Sequence, residues 1–380
     1  MRFPEFSGEW ETKSINDLAD VIGGGTPDTT VKSYWDGGIQ WFTPSEIGKN
    51  KFVDASLRTI TEDGLNNSSA KLLPPNTILL SSRATIGECS LSLRECATNQ
   101  GFQSLVSKNC NVDFLYYLIQ TKKKDLIRKS CGSTFLEISA NEVRKIQVSV
   151  PSDVEQQKIA ELLSLIDKRI ATQNKIIEKY ESLIKGLNNI LLYATGGKSV
   201  CLGDILLERS ERSQTNNQHE VLSSTVKGIF SQREYFSKDI ASENNVGYKI
   251  IRLHDVVLSP QNLWMGNINY NDRFEIGIVS PSYKVFSIAD GYDNQFVAAM
   301  LKTHRALYSY MMVSEQGASI VRRNLNMEAF SQLVFKIPSL DKQREIGCAI
   351  SLLKSQLKTA NKIIRAYTSQ KQYLLCQMFI

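Results

Sequence analysis

The sequence predicts an α+β protein in which two mixed α/β domains are separated by an antiparallel two-helix coiled coil, the whole carrying an internal pseudo-two-fold repeat. Three observations carry this. A chain of 380 residues exceeds what one compact core ordinarily holds, so two domains of common size are expected. The chain also repeats itself. Val150-Pro151-Ser152, followed by Gln156 and Ile159, returns as Ile337-Pro338-Ser339, followed by Gln343 and Ile346, a shift of 187 positions from Pro151 to Pro338. The third observation is a pair of long apolar seams, one in each copy of the repeat.

The first seam steps by alternating fours and threes through Ile159, Leu163, Ile166, Ile170, Gln173, Ile177, Tyr180, Ile184, Leu187 and Leu191. The second runs through Ile346, Ile350, Leu353, Leu357, Ala360, Ile364, Tyr367, Lys371, Leu374 and Met378, and each seam has one polar break. Pro151 and Pro338 suit the entry to a helix, with Ser152 and Ser339 available as caps and Gly196-Gly197 closing the first. About 40 residues at ~1.5 Å each make a rod of ~60 Å. Seams of matched length are explained by packing on each other, and the short link from Tyr193 to Val200 predicts that they run antiparallel. The expected organisation is a first domain over 1–151, a central helix over 152–195, a second domain over 196–337 and a C-terminal helix over 338–380.

Within the domains, short apolar runs between Gly, Pro, Asn and Ser clusters predict strands, as at Thr77-Ile78-Leu79-Leu80, Ser104-Leu105-Val106, Lys249-Ile250-Ile251-Arg252 and Tyr283-Lys284-Val285-Phe286. One helix is expected in each, near Val112 to Thr121 and Gln295 to Met311. Apart from their ends the domains barely resemble one another in sequence, as expected of a shared scaffold with different reading surfaces or of drift after duplication.

Composition excludes several classes. With 42% hydrophobic and 22% charged residues and 9 Pro, the chain is a folded one, neither disordered nor collagen-like. No run approaches the ~18 apolar residues of a membrane span, and Met1 to Trp10 has no signal pattern, so a cytoplasmic location without membrane contact is expected. The seven cysteines form no CxxC pair and are expected to be reduced. His219, His254 and His304 stand at no ligand spacing, so no metal site is expected. Gly23-Gly24-Gly25-Thr26-Pro27 reads as a turn, and Gly196-Gly197-Lys198-Ser199 has Leu192 where a phosphate loop needs its first glycine. No GxSxG elbow frames a nucleophile, and neither Asn-Pro-Pro-Tyr nor Asp-Pro-Pro-Tyr occurs, so no catalytic residue is assigned and the chain is expected not to be an enzyme.

The strings Trp41-Phe42-Thr43-Pro44-Ser45-Glu46-Ile47, Ser82-Arg83-Ala84-Thr85-Ile86-Gly87-Glu88 and Thr98-Asn99-Gln100-Gly101-Phe102-Gln103, with Gly132-Ser133-Thr134, Ile138-Ser139 and Glu155-Gln156-Gln157-Lys158-Ile159-Ala160, give the chain its likeness to a known family. It resembles the specificity subunit of type I restriction-modification systems. In the second half, Leu258-Ser259-Pro260-Gln261-Asn262-Leu263-Trp264-Met265-Gly266 and Ser280-Pro281-Ser282-Tyr283 look like one common subclass. The resemblance implies a non-catalytic reader of double-stranded DNA whose two target recognition domains each bind half of a bipartite, asymmetric sequence. It implies that the helices set the spacer and dock two modification (methyltransferase) subunits, and that restriction subunits join the full complex. S-adenosylmethionine, ATP and Mg would then belong to the partners and no cofactor to this chain.

Net charge does not argue for the domains as the DNA surface. The 1–151 segment has 17 basic and 17 acidic residues and the 196–337 segment 15 and 14, whereas 338–380 has 7 and 2. Candidate contacts rest instead on side-chain chemistry in loops: Lys32, Trp41, Thr43, Ser45, Arg83, Ser133 and Thr134 in the first domain, and Lys227, Asn262, Trp264, Tyr283, Arg322 and Arg323 in the second. Packing competes with contact at each, and Trp41 and Trp264 are better suited to a core than to contact. The competing function is a two-headed protein-interaction scaffold without DNA specificity, which salt dependence would separate from a DNA reader.

Overall fold

A computed structural model describes residues 1–132, 136–194, 196–235, 244–316 and 323–379. The chain divides into two compact units, Met1–Lys175 with Lys362–Ile380, and Ile176–Asn361.

The first unit is built on a five-stranded sheet in the order Ala19–Gly23, Gln103–Ser107, Ile78–Leu80, Cys89–Ser92, Phe52–Val53. Alternation along the central strand decides what lies on each face. Ile78 and Leu80 join a core with Phe114, Tyr117, Ile159, Leu163, Leu374 and Met378, which brings the long helices onto one side. Leu79 points the other way, into a cluster with Phe42, Leu73 and Phe102. Both faces are covered, so the strand reads as an unbroken apolar run rather than an alternating one. A three-stranded sheet, Arg58–Ile60, Trp35–Phe42 and Cys96–Thr98, lies beyond and packs Trp35, Trp41 and Ile60 together. Glu11–Ser14 pairs antiparallel with Gln147–Val150, the strand that leads into the first long helix.

The second unit repeats the inner half of this plan. Its sheet runs Leu206–Arg209, Lys284–Ile288, Val256–Leu258, Ile268–Tyr270, the same order as the first four strands of the other unit and antiparallel throughout. Val256, Leu258 and Phe286 face a core with Phe296, Tyr310, Phe330, Ile346 and Ile350. Val257 and Val285 face a second cluster with Leu222, Ile251 and Val279. Lys198–Cys201 pairs with Val334–Ile337 as Glu11–Ser14 pairs with Gln147–Val150. The outer half differs: here it is a hairpin, Leu222–Thr225 with Gly228–Ser231, and the pair Lys249–Arg252 and Ile276–Val279.

The predicted helix at Val112–Thr121 is present with those bounds. The one expected from Gln295 to Met311 is two, Asn294–Met300 and His304–Met312. The break falls where the Thr303 hydroxyl accepts from the Ala306 N–H at 3.2 Å and starts a new helix. Helices of four to six residues, such as Glu62–Asn66, Lys123–Arg128 and Met327–Ser331, were not expected, because one turn is too short to show a 3.6-residue period.

The long helices span Asp153–Ala194 and Leu340–Met378. In the first unit they run antiparallel: Ile159, Leu163 and Ile166 share a core with Leu374 and Met378, Asp167 pairs with Lys371 at 2.7 Å, and Arg169 lies over the Tyr367 ring. In the second unit Ile184 and Leu357 line one cavity. Among the described residues no helix is long and apolar enough to cross a membrane.

Candidate nucleic-acid interface

In both units the connection that leaves the central strand is a tight loop with buried polar atoms that find no hydrogen-bond partner among the described residues. In the first unit this is Ser81 to Glu88. Ser82 N–H donates to the Gly101 carbonyl and Ser82 O accepts from Ile138 N–H, which ties the loop to two neighbouring segments. Ala84 at its tip holds φ +53°, and the turn is closed by Gly87 N–H to Ser81 O at 3.1 Å. A non-glycine residue in the left-handed region stores ~1 kcal/mol or more and persists only where its surroundings hold it. Arg83 pairs with Glu137 at 2.9 Å, and Ser82 Oγ and Gln103 Oε1 are buried without partners among the described residues.

Three further segments join this loop. Asn99 N–H donates to Phe42 O, and Gly101 N–H to Asn99 Oδ1, so Asn99-Gln100-Gly101 sits against Phe42 and the turn after it. The Thr43 hydroxyl and N–H both reach Glu46 Oε2, a capping box that fixes this turn. The Gly24 turn closes the surface: a Cβ at Gly24 would overlap the Thr98 and Asn99 carbonyl oxygens, while Trp41 Nε1 donates to Gly25 O at 2.9 Å. The structure therefore brings Trp41, Thr43, Ser45 and Arg83 into one neighbourhood. Trp41 is 4% exposed and packs in the core of that surface rather than on it. Lys32 is exposed on a separate turn before the Trp35–Phe42 strand. Ser133 and Thr134 lie outside the described residues.

The corresponding loop of the second unit, Ser259 to Asn267, is closed by Ser259 N–H to Asn267 O at 2.9 Å and by Gly266 in the left-handed region. Arg323 N–H donates to Gln261 O, and its guanidinium lies 5.8 Å from the Trp264 ring. Asn262 Oδ1 and Arg323 Nε are buried without hydrogen-bond partners among the described residues. Asn262, Trp264 and Arg323 are thus brought together. The hairpin reaches the same loop, since Ser224 Oγ donates to Asn267 Oδ1 at 2.8 Å and Tyr283 OH to Ser224 O at 3.0 Å. Lys227 is exposed at the hairpin's turn. Arg322 lies outside the described residues.

Sequence reasoning missed two kinds of residue. Asn99, Gln100 and Gln103 line the first loop surface, and the run of amide side chains from Asn99 to Gln103 is the sequence signal that could have found them. The repeated glutamines were read as motif letters, and the structure gives them a task. Gln156 Oε1 accepts from the Asn111 N–H while its amide donates to Pro151 O, and Gln343 does the same with Asp293 and Pro338, each at 2.9–3.0 Å. Each clamps the first turn of a long helix to the cap of the helix that packs on the sheet. Both glutamines are 2% exposed.

Burial pushes the Cys89, Cys96 and Cys110 thiols up to about 12, so these are inert packing groups. Lys302, which donates to Gly266 O at 2.7 Å, is pulled down to about 8 by burial and by the charge of Lys354. Among the described residues no group of three His, Cys, Asp or Glu side chains could hold a metal.

Residues 7–182 match the family described as "Type I restriction modification DNA specificity domain". The chain is 40% identical over 179 residues to the MjaIX specificity subunit of Methanocaldococcus jannaschii, covering 45% of this chain and 41% of that one. It is 32% identical over 168 residues to the EcoR124I/EcoR124II specificity subunit of Escherichia coli, covering 42% and 41%. The chain thus spans about two fifths of the length of the curated relatives it matches. The fold is similar to the crystal structure of a type I restriction-modification S subunit from M. genitalium, with a TM-score of 0.62 at 16% identity over 100% of this chain and 99% of that one. A second structure, from work on complex assembly and conformational transition of a type I R-M system, gives 0.56 at 12% identity over 98% of each chain. Residues 7–182 are thus similar to the DNA specificity domain of type I restriction-modification systems, and over its whole length the chain shares the fold of the solved S subunits.

Proposed function

We propose that this chain is the DNA sequence-recognition subunit of a type I restriction-modification complex and catalyses nothing itself. Each of the two bodies, over 1–151 and 196–337, reads one half of a bipartite, asymmetric duplex target. The helices over 152–195 and 338–380 set the gap between the half-sites and dock two modification subunits, with restriction subunits joining the full assembly. S-adenosylmethionine, ATP and Mg enter through those partners.

One observation carries this reading. The two units share a sheet order and a helix-side core yet differ in their outer halves, as two readers of different half-sites on one scaffold must. The loops leaving the central strands supply hydrogen-bonding groups and guanidinium-bearing side chains of the kind that reach phosphates and base edges.

The test is binding of a duplex carrying both half-sites, found first by mapping methylated positions in a genome that expresses the chain with its modification partner. Affinity should fall steeply as salt rises and should need both half-sites. Salt-insensitive association with proteins alone would overturn the reading in favour of a scaffold. The gap is tested separately. Deleting 170–176 and 357–363, one heptad from each helix, should shorten the rod by ~10 Å and the preferred gap by roughly three base pairs.

A further inference from the structure

The second seam has one charged residue, Lys371, and the first unit shows what it meets. Lys371 Nζ lies 2.7 Å from Asp167 on the other long helix, and the two side chains are 18% and 16% exposed. Asp167 also accepts from the Tyr117 hydroxyl at 2.6 Å, and Tyr117 is fully buried on the helix that packs on the sheet. Lys51, 8% exposed, donates to Tyr117 OH at 3.1 Å and to Ser164 Oγ at 2.7 Å, and pairs with Asp113 at 2.6 Å. One connected set of polar groups therefore joins four elements: the loop before Phe52–Val53, the Val112–Thr121 helix and both long helices.

Among the described residues the second unit has no such set at the equivalent places. The 187-residue shift puts Lys354 where Asp167 stands and Ile184 where Lys371 stands. Counting from the cap residues Asn111 and Asp293, Ala299 takes the place of Tyr117. That joint sets Lys354 beside an aliphatic and a methyl side chain in place of a carboxylate, an ammonium and a phenol.

A buried ion pair adds little net stability over an apolar replacement, but one polar residue in an apolar seam selects a single register, and a fully satisfied network selects a single arrangement. We infer that Tyr117, Asp167 and Lys371 are positioning residues that hold the first recognition body at one setting on the helix pair. Under the proposed function, on which this consequence rests, that setting limits the half-site gaps the protein accepts. The setting itself can be measured without DNA, so its failure is distinct from failure of the DNA reading.

The measurement uses the full chain with the exposed Cys131, Cys348 and Cys376 changed to Ser and spin labels at Lys124→Cys and Lys175→Cys, exposed positions within the first unit. The parent should give one narrow distance distribution. The triple variant Tyr117→Phe, Asp167→Leu, Lys371→Met should broaden it about twofold or split it while its thermal midpoint holds or rises. Lys371→Arg should keep it narrow, and Tyr117→Phe alone, which spares the ion pair and the fold, should broaden it in part. An unchanged narrow distribution in Tyr117→Phe and in the triple variant would overturn the inference. So would a fallen midpoint with the distribution still narrow, which is the mark of a group that only stabilises.

Discussion

The inner and outer halves of the two units have diverged to different degrees, and the boundary between them is the central sheet. On the helix side, the two cores are built alike: a strand order held in common, a capped helix carrying a buried Phe at its third position, and a glutamine clamp to the long helix. On the far side, one unit has a three-stranded sheet around two tryptophans and the other a hairpin and a strand pair around aliphatic residues. Packing against the long helices constrains one face of the sheet, and nothing equivalent constrains the other. Under the proposed function, the target could change with the outer half while the inner half keeps its seat on the helices.

If the inner halves are equivalent, matched substitutions should have matched effects. The largest is expected at Phe114→Ala and Phe296→Ala, both fully buried at the third position after the cap. Each should destabilise by ~3–5 kcal/mol, read from denaturant midpoints. A cost confined to one unit would break the comparison. Gln156→Ala and Gln343→Ala come next. Each takes a partner from a half-buried backbone N–H and from a buried proline carbonyl, at about 1–3 kcal/mol. Equal losses would make the clamps interchangeable.

A pH titration then separates the units. Lys302 has no lysine counterpart, since Gln120 occupies the same offset from its cap. With its folded value near 8 against an ordinary 10.5, the unfolded chain holds the proton that the folded chain releases between those values. Stability of the second unit should therefore rise with pH from about 8 towards 10.5. The protection factors of the His304–Met312 helix, taken relative to the base-catalysed intrinsic exchange rate at each pH, should rise across that window in the native chain and less so in Lys302→Met.

How much of this was legible follows from the same division. The seam ends at Ile159, Leu163, Ile166, Leu374 and Met378, the Val112–Thr121 helix and the apolar strands lie on faces that one core buries, and periodicity reports what a face is buried against. The likeness of the inner halves was invisible, since a sheet order can be kept while its residues change: Ile78 and Leu80 are answered by Val256 and Leu258, which no repeat search would align with force. The network around Asp167 was unreadable for another reason. Its members lie at 51, 113, 117, 164, 167 and 371, and only the fold makes them neighbours. Lys371 announced itself in the sequence as a flaw in the seam, and its partner gave the flaw a meaning.

The smallest expected effect tests the loop rather than the core. Ala84 holds its positive φ because Ser81 Oγ donates to Arg83 O at 2.8 Å and the Gly87 and Glu88 N–H groups close the turn around it. Ala84→Gly removes the strain of a left-handed Cβ but restores backbone freedom to the unfolded chain, so stability should change by under ~1 kcal/mol. Equilibrium melting alone would hardly register it. If the strained turn serves to preset Arg83 and Ser82 towards the duplex, the glycine variant should lose discrimination at the first half-site while the second is read as before. Loss at both half-sites together would mean that the loop acts on the fold, and the two bodies would not be independent readers.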